Sequence, residues 1–329
     1  MGEYVFGFEN RIAEYILHLC SLSTESSLGK ALHFFISDSI SIFILLYLST
    51  FFISLFRSQL SAERVEYYLR GKSKWYGYTL ATLLGIVTPF CSCSSIPLFM
   101  SFLASRIPFG VSMSFLIASP LVSEIAAIML LGMEGAGLLV ALVYIITGSL
   151  IAILAGFLCD TFNIQRFLRY MPLPTSPQYA DGASKKEKII QTIRYAHDFA
   201  FELLQSTALY IIIGLCIGAL MYGYLPQDIF TEYLGRDNPF ALPIAVLIGI
   251  PLYANHGGVV PIIQVLLLRD VPLGTALVVL MSVTALSLPE LIMLRRVFSY
   301  TLLLLFVLFL FFAFILSGYI INILEYMVL

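Results

Sequence analysis

The chain has 329 residues, of which 60% are hydrophobic and only 12% charged, and its mean hydropathy is +0.94. Soluble domains carry about 25% charged residues, so a water-soluble globular fold is excluded, and a net charge of −2 offers nothing to nucleic acid. At about 20 residues per crossing, the length accommodates roughly six to eight apolar spans.

Residues 1–33 contain Glu3, Glu9, Glu14 and Glu25 and lack a basic run ahead of an apolar core. They are expected to form an amphipathic interfacial segment rather than a cleavable signal. Apolar segments follow at 34–56, 77–104, 108–132, 135–159, 199–224, 240–268, 272–294 and 300–325. Between the fourth and fifth lies the one long polar stretch, with the pieces MPLPTSP and SKKEK. The chain therefore divides into the N-terminal segment, a first membrane repeat at 34–159, a basic connection at 160–198 expected to be cytoplasmic, and a second membrane repeat at 199–329.

The two membrane regions resemble each other. Sliding the chain along itself until Gly85-Ile86 meets Gly249-Ile250 also brings Pro97 onto Pro261, Pro108 onto Pro272 and Gly110 onto Gly274. An internal repeat whose halves each carry an interrupted apolar segment is the sequence pattern of a transporter core. The fold class is thus an all-α polytopic membrane protein with two homologous repeats, built as six spans plus two re-entrant hairpins or as eight spans. Eight full spans divide the 18 Lys and Arg evenly, 10 to 8. Treating 77–104 and 240–268 as hairpins gathers 14 of them on one side, among them Lys74, Arg106, Arg169 and Arg295, and leaves Arg11, Lys30, Arg236 and Arg269 on the other. Short loops normally show such a bias. The hairpin reading is preferred, and it makes the repeats inverted.

The first hairpin tip reads Thr88, Pro89, Phe90, Cys91, Ser92, Cys93, Ser94, with Pro97 beyond it. Polar, helix-breaking sequence at membrane depth survives where it lines a cavity, because lipid cannot satisfy freed backbone groups. Two thiols in an irregular, proline-bounded turn can converge on one soft ion or metalloid. The equivalent tip contains Pro251, Asn255, His256, Gly257, Gly258 and Pro261. It offers an amide, an imidazole able to ligate or carry a proton, and flexible backbone. Pro89, Pro97, Pro251, Gly257, Gly258 and Pro261 are expected as the hinges of the broken helices. Two acids, Glu124 and Glu290, lie inside apolar segments at equivalent places apart from a two-residue slip. A carboxylate costs several kcal/mol at membrane depth, so both are candidates for proton coupling. Cys159 and Cys216 have no cysteine near them and read as packing residues. The sequence lacks a Walker A loop, a CxxCH haem site, an HExxH pair and a GxSxG elbow, so no cofactor and no enzymatic role is read from it.

The run TPFCSCSSIPLF, followed by GVSMSFLIASPLVSEIAAIMLLG and by the later GIPLY and PLGTALVVLM, resembles the ArsP-type predicted permeases, a family that includes organoarsenical efflux permeases. The similarity covers residues 35 to 325. It implies a prokaryotic inner-membrane permease, usually described with eight spans, with its cysteine pair carried over to Cys91 and Cys93. The second tip departs from that pattern, and no family ligand is transferred to Asn255 or His256.

The resulting expectation is a secondary transporter that exports a soft, thiol-reactive solute, foremost a trivalent arsenical. Cys91 and Cys93 would bind it transiently, with Thr88, Ser92, Ser94, Asn255 and His256 around it. Glu124 and Glu290 would couple protons. Its partners would be the lipid bilayer, the solute and protons, and a homo-oligomer is compatible with the reading. Rival readings are a permease for Cu or Zn ions or a small sulfur compound, and a membrane thiol oxidoreductase.

Overall fold

With no water in the hydrocarbon to receive backbone groups, a chain this apolar must satisfy them within helices. The computed structural model describes residues 8–19, 26–57, 73–88, 92–132, 137–169, 185–224, 233–236, 238–251, 263, 266–267, 271–295 and 297–328. Among these the regular structure is helical, with a single isolated bridge between Leu168 and Phe298. In chain order the helices are α1 (Phe8–Leu19), α2 (Ser27–Arg57), α3 (Lys74–Val87), α4 (Ser92–Ala104), α5 (Phe109–Leu121) and α6 (Glu124–Leu131). They continue as α7 (Gly137–Thr161), α8 (Lys185–Tyr224), α9 (Ala241–Gly249), α10 (Leu273–Ala285), α11 (Leu288–Leu294) and α12 (Tyr300–Val328). Among the described residues, three stretches are long and apolar enough to cross a membrane unbroken: Ser27–Phe52, Leu138–Thr161 and Tyr300–Tyr326.

Helix α1 packs on α2. Ser37 donates a hydrogen bond to Asn10 and Ser41 donates one to Glu9. Residues 185–198, read from sequence as part of the polar connection, are instead the first turns of α8. At 40 residues α8 is about 60 Å long, roughly twice the hydrocarbon thickness. It runs along α2, where Tyr47 and His197 share a 2.6 Å hydrogen bond.

Side-chain contacts fix the direction of each membrane helix. Asp160, at the end of α7, accepts one hydrogen bond from the Tyr78 hydroxyl of α3 and one from the Gly110 amide of α5. Roughly 11 Å deeper by helical rise, Gly85 of α3 lies against Ala118 of α5. Helices α3 and α5 therefore run parallel from one end of the bundle. Helix α4 leads through residues 105–108 straight into the start of α5. The chain thus enters with α3 and returns with α4 to the end it came from, which makes 74–104 a re-entrant hairpin.

The second repeat copies this arrangement from the opposite end. The Gly274 amide of α10 donates to Asn322 of α12, and the Leu273 amide donates to Glu325. The Tyr319 hydroxyl donates to the Pro239 carbonyl just ahead of α9. Gly249, the last residue of α9, lies against Ser282 of α10. Helix α12 begins beside the residues that follow α7, because Arg169 donates to the Val297 carbonyl and Ser299 donates to the Phe167 carbonyl. It then runs 29 residues, about 43 Å, to the far end. The first hairpin consequently enters from the end that holds Lys74, Arg106, Arg166, Arg169 and Arg295. The second enters from the end where Arg236 pairs with Glu325 at 2.8 Å. These positions agree with the charge sorting of the hairpin reading and with inverted repeats.

The repeat is close in detail. Helices α5 and α10 each have 13 residues. Their first residues, Phe109 and Leu273, are equivalent under the repeat, and so are Glu124 and Leu288, which open α6 and α11. The turn between α4 and α5 closes with bonds from the Arg106 amide to the Leu103 carbonyl and from the Ile107 amide to the Phe102 carbonyl. Its counterpart has the Val271 amide on the Leu266 carbonyl. This C-terminal cap places Arg106 at φ 57°, a left-handed position that glycine usually fills and that costs another residue about 1–2 kcal/mol. One apolar core runs through both repeats, with Phe99 of α4 edge-on to Phe298 at 5.9 Å.

Candidate functional site

The described residues show two interruptions at depth in the first repeat and one in the second. The first lies between α3 and α4. Thr88 ends α3; its amide and its hydroxyl both donate to the Leu84 carbonyl, and the hydroxyl also lies 3.3 Å from the Gly85 carbonyl, one of those the helix end leaves without an amide donor. Ser92, Cys93 and Ser94 form the first turn of α4. The helix is not broken at Pro97, where sequence placed a hinge: α4 runs through it to Ala104. Having no N–H, Pro97 leaves the Cys93 carbonyl without its helical donor, while its own carbonyl receives the Ser101 hydroxyl at 2.8 Å. The tip thus presents a helix start and a freed carbonyl one turn apart. Pro89 and Cys91 lie outside the described residues.

The second interruption separates α5 from α6. Pro120 sits in the last turn of α5, yet the break comes at Val122-Ser123. There the Ser123 amide donates to the buried Tyr144 hydroxyl of α7, and the Ser123 hydroxyl receives the Ala126 amide as a helix cap. Glu124 is the first residue of α6. In the second repeat the break falls at Leu286-Ser287, and the Leu288 amide donates to the Ile250 carbonyl at 2.8 Å. That bond ties the end of α9, next to Pro251, to the start of α11. Glu290 is in the first turn of α11 and only 2% exposed. Because α6 and α11 start in register, the two-residue slip between the acids is real. Measured from the start of its own helix, Glu290 stands about 3 Å further along than Glu124 and roughly 200° further round.

The two repeats meet at this depth. Helix α11, carrying Glu290, packs against α4, the return arm of the cysteine hairpin, and against α8. Helices α5 and α10 touch as well. Hydroxyls line the buried faces: Ser95, Ser112, Ser119 and Ser123 from the first repeat, and Ser282, Thr284 and Ser287 from the second. Asn255, His256, Gly257, Gly258 and Pro261 lie outside the described residues. Cys159 is buried in α7 and Cys216 is exposed on α8.

Sequence reasoning missed the residues that hold this frame. Asp160 and Asn322 stand at the ends of α7 and α12, in nearly equivalent places of the two repeats, and each caps the helix that starts beside it. Their signal was a polar side chain closing an apolar segment in each repeat. Tyr144 carried no such signal.

Comparison with known proteins adds the family. The ArsP_1 family, described as a predicted permease, matches residues 27–323. A Streptococcus mutans protein whose name reads "two-component membrane permease complex subunit" is 25% identical over 68% of this chain and 72% of its own length. UPF0718 protein YraQ of Escherichia coli K12 is 23% identical over 69% of this chain and 62% of its own length. UPF0718 protein MJ0584 of Methanocaldococcus jannaschii is 23% identical over 72% of this chain and 79% of its own length. No solved structure matches the chain significantly. With broken helices paired across two repeats and a family match spanning nearly its whole length, the chain belongs to the ArsP_1 family of predicted permeases and is a multi-pass membrane protein.

Proposed function

We propose that the chain is a secondary transporter of a prokaryotic inner membrane that exports trivalent organoarsenicals. Cys91 and Cys93 would hold the arsenic transiently. Thr88, Ser92, Ser94 and either Asn255 or His256 would complete its surroundings, and Glu124 and Glu290 would carry protons. The observation that carries this reading is the contact between α4 and α11, which joins the cysteine hairpin of one repeat to the buried acid of the other. Interrupted helices from two repeats, meeting within the bundle, are the architecture in which rocking exposes one site to each side in turn.

The chemistry suits a soft acceptor. A methylarsenous acid gives up two hydroxides as two As–S bonds form, and each leaves with a thiol proton as water. Loading is therefore neutral in net charge. Hydrolysis reverses it, returning the protons to sulfur when the tips separate. Coupling to a gradient then has to come from other groups, and an acid that is 2% exposed is costly to keep ionised.

The test is uptake of trivalent methylarsenite into everted membrane vesicles carrying the wild type or the Cys91→Ser/Cys93→Ser double variant, with and without a proton gradient. Because one relative is named as a complex subunit, native vesicles are used rather than the purified chain. Wild-type accumulation that falls to the empty-vector level in the double variant, and on collapse of the gradient, is the expected result. Correctly inserted wild type that accumulates no arsenical rejects the substrate. The same vesicles then go to Cu(I), Zn(II) and small sulfur compounds.

A further inference from the structure

At the basic end of the bundle a cleft of about 550 Å³ opens between the α4–α5 turn, the residues that follow α7, and Val297 just ahead of α12. Its floor is apolar, formed by Leu103, Phe109, Leu168 and Val297, and its rim carries Arg106 and Arg169. Both arginines are exposed, and among the described residues neither guanidinium has a carboxylate partner. The neighbouring cations are engaged. Arg295 stacks on the Tyr300 ring at 3.5 Å and donates to the Phe298 carbonyl, and Arg166 lies over Phe167 at 4.7 Å. Arg106 also occupies the left-handed cap position, at φ 57°, where glycine would relieve strain.

We propose that this cleft binds the phosphate of an anionic phospholipid, with Arg106 and Arg169 on the phosphodiester oxygens and the glycerol and first acyl carbons on the apolar floor. Two guanidinium groups offer the forked donors that phosphate accepts best. Basic pockets between helix ends at the cytoplasmic face of a membrane are suited to such head groups. The apolar floor favours a lipid over a free anion, because a soluble phosphate gains nothing from it. The cleft is bounded by the first hairpin on one side and the connector between the repeats on the other, so a bound lipid would tie the two together. The proposal does not depend on the transported solute.

The test is lipid binding to the full-length protein, followed by native mass spectrometry during titration with phosphatidylglycerol, phosphatidylcholine or glycerol 3-phosphate. Phosphatidylglycerol is expected to bind roughly thirtyfold more tightly than phosphatidylcholine, each arginine contributing about a factor of five. Arg106→Gln/Arg169→Gln should remove that preference. Arg106→Gly separates binding from folding: it relieves the strained position, so it should raise the melting temperature while lowering phosphatidylglycerol affinity about fivefold. Equal binding of the two lipids, or an unchanged preference in the double variant, overturns the proposal. So does an equal loss in Arg166→Gln, which would report diffuse surface charge, or glycerol 3-phosphate binding as tightly as the lipid, which would assign the cleft to a soluble anion.

Discussion

Asp160 and Asn322 perform one task with different chemistry. Each places an oxygen 2.7 Å from the amide of the second residue of the neighbouring helix, Gly110 or Gly274. Asp160 has a second acceptor for the Tyr78 hydroxyl at 2.8 Å, whereas Asn322 turns its amide nitrogen towards Thr275. Asp160→Ala strands the Gly110 amide and the Tyr78 hydroxyl together, and a loss of about 1–3 kcal/mol is expected. Asp160→Asn keeps the oxygen for Gly110, and the Tyr78 hydroxyl can turn to accept from the new amide, so its cost should stay below about 1 kcal/mol. Thermal unfolding of the two variants in detergent checks the order, and equal losses would remove Asp160 from this role. A related device serves the break at Ser123, where the buried Tyr144 hydroxyl receives an amide that the interrupted helix leaves over.

At the level of helices, close approach replaces the hydrophobic effect, since lipid is as apolar as the side chains it surrounds. Gly110 faces Gly156 across α5 and α7, and Gly274 faces Gly318 across α10 and α12. A methyl group on either Gly110 or Gly274 would strike the carbonyl oxygen of the facing glycine. That obstacle is backbone and cannot rotate away. Gly110→Ala and Gly274→Ala are each expected to cost about 1–3 kcal/mol by overpacking, measured as a lowered melting temperature of similar size in both. One harmful and one harmless substitution would mean that the two repeats are not packed alike. The glycine and proline punctuation was legible in the sequence because it marks these approaches. The position of the breaks was not: Pro97 and Pro120 both lie within helices. A proline ring removes one bond and tilts the helix locally. Where the chain parts is decided by which neighbour can take the freed amide, Tyr144 in one repeat and the Ile250 carbonyl in the other.

For the whole molecule, the hairpins make a directional prediction. Single cysteines placed at Trp75 and Ser105 in a cysteine-free background should both be labelled by an impermeant thiol reagent from the side that labels Gln165. A cysteine at Pro239 should be labelled only from the other side. Trp75 and Ser105 reacting from opposite sides would restore a chain of eight full spans. Composition determined by itself that the chain lives in a bilayer, because too few charges remain to cover a soluble surface. The constant offset between matching glycines and prolines determined that it is built twice, and the arginine and lysine distribution already favoured hairpins over full spans, because basic loops collect on one face. The same count made the repeats inverted; only the tertiary structure decided that α4 of one repeat rests on α11 of the other and that Arg106 and Arg169 share a cleft. Those facts depend on contacts between residues far apart in the chain, as Phe99 is from Phe298. Apolar periodicity tells a helix which face to bury, but any of several equally apolar neighbours could cover it. The choice among them is made by packing of glycines and by the few buried polar groups that must find a partner.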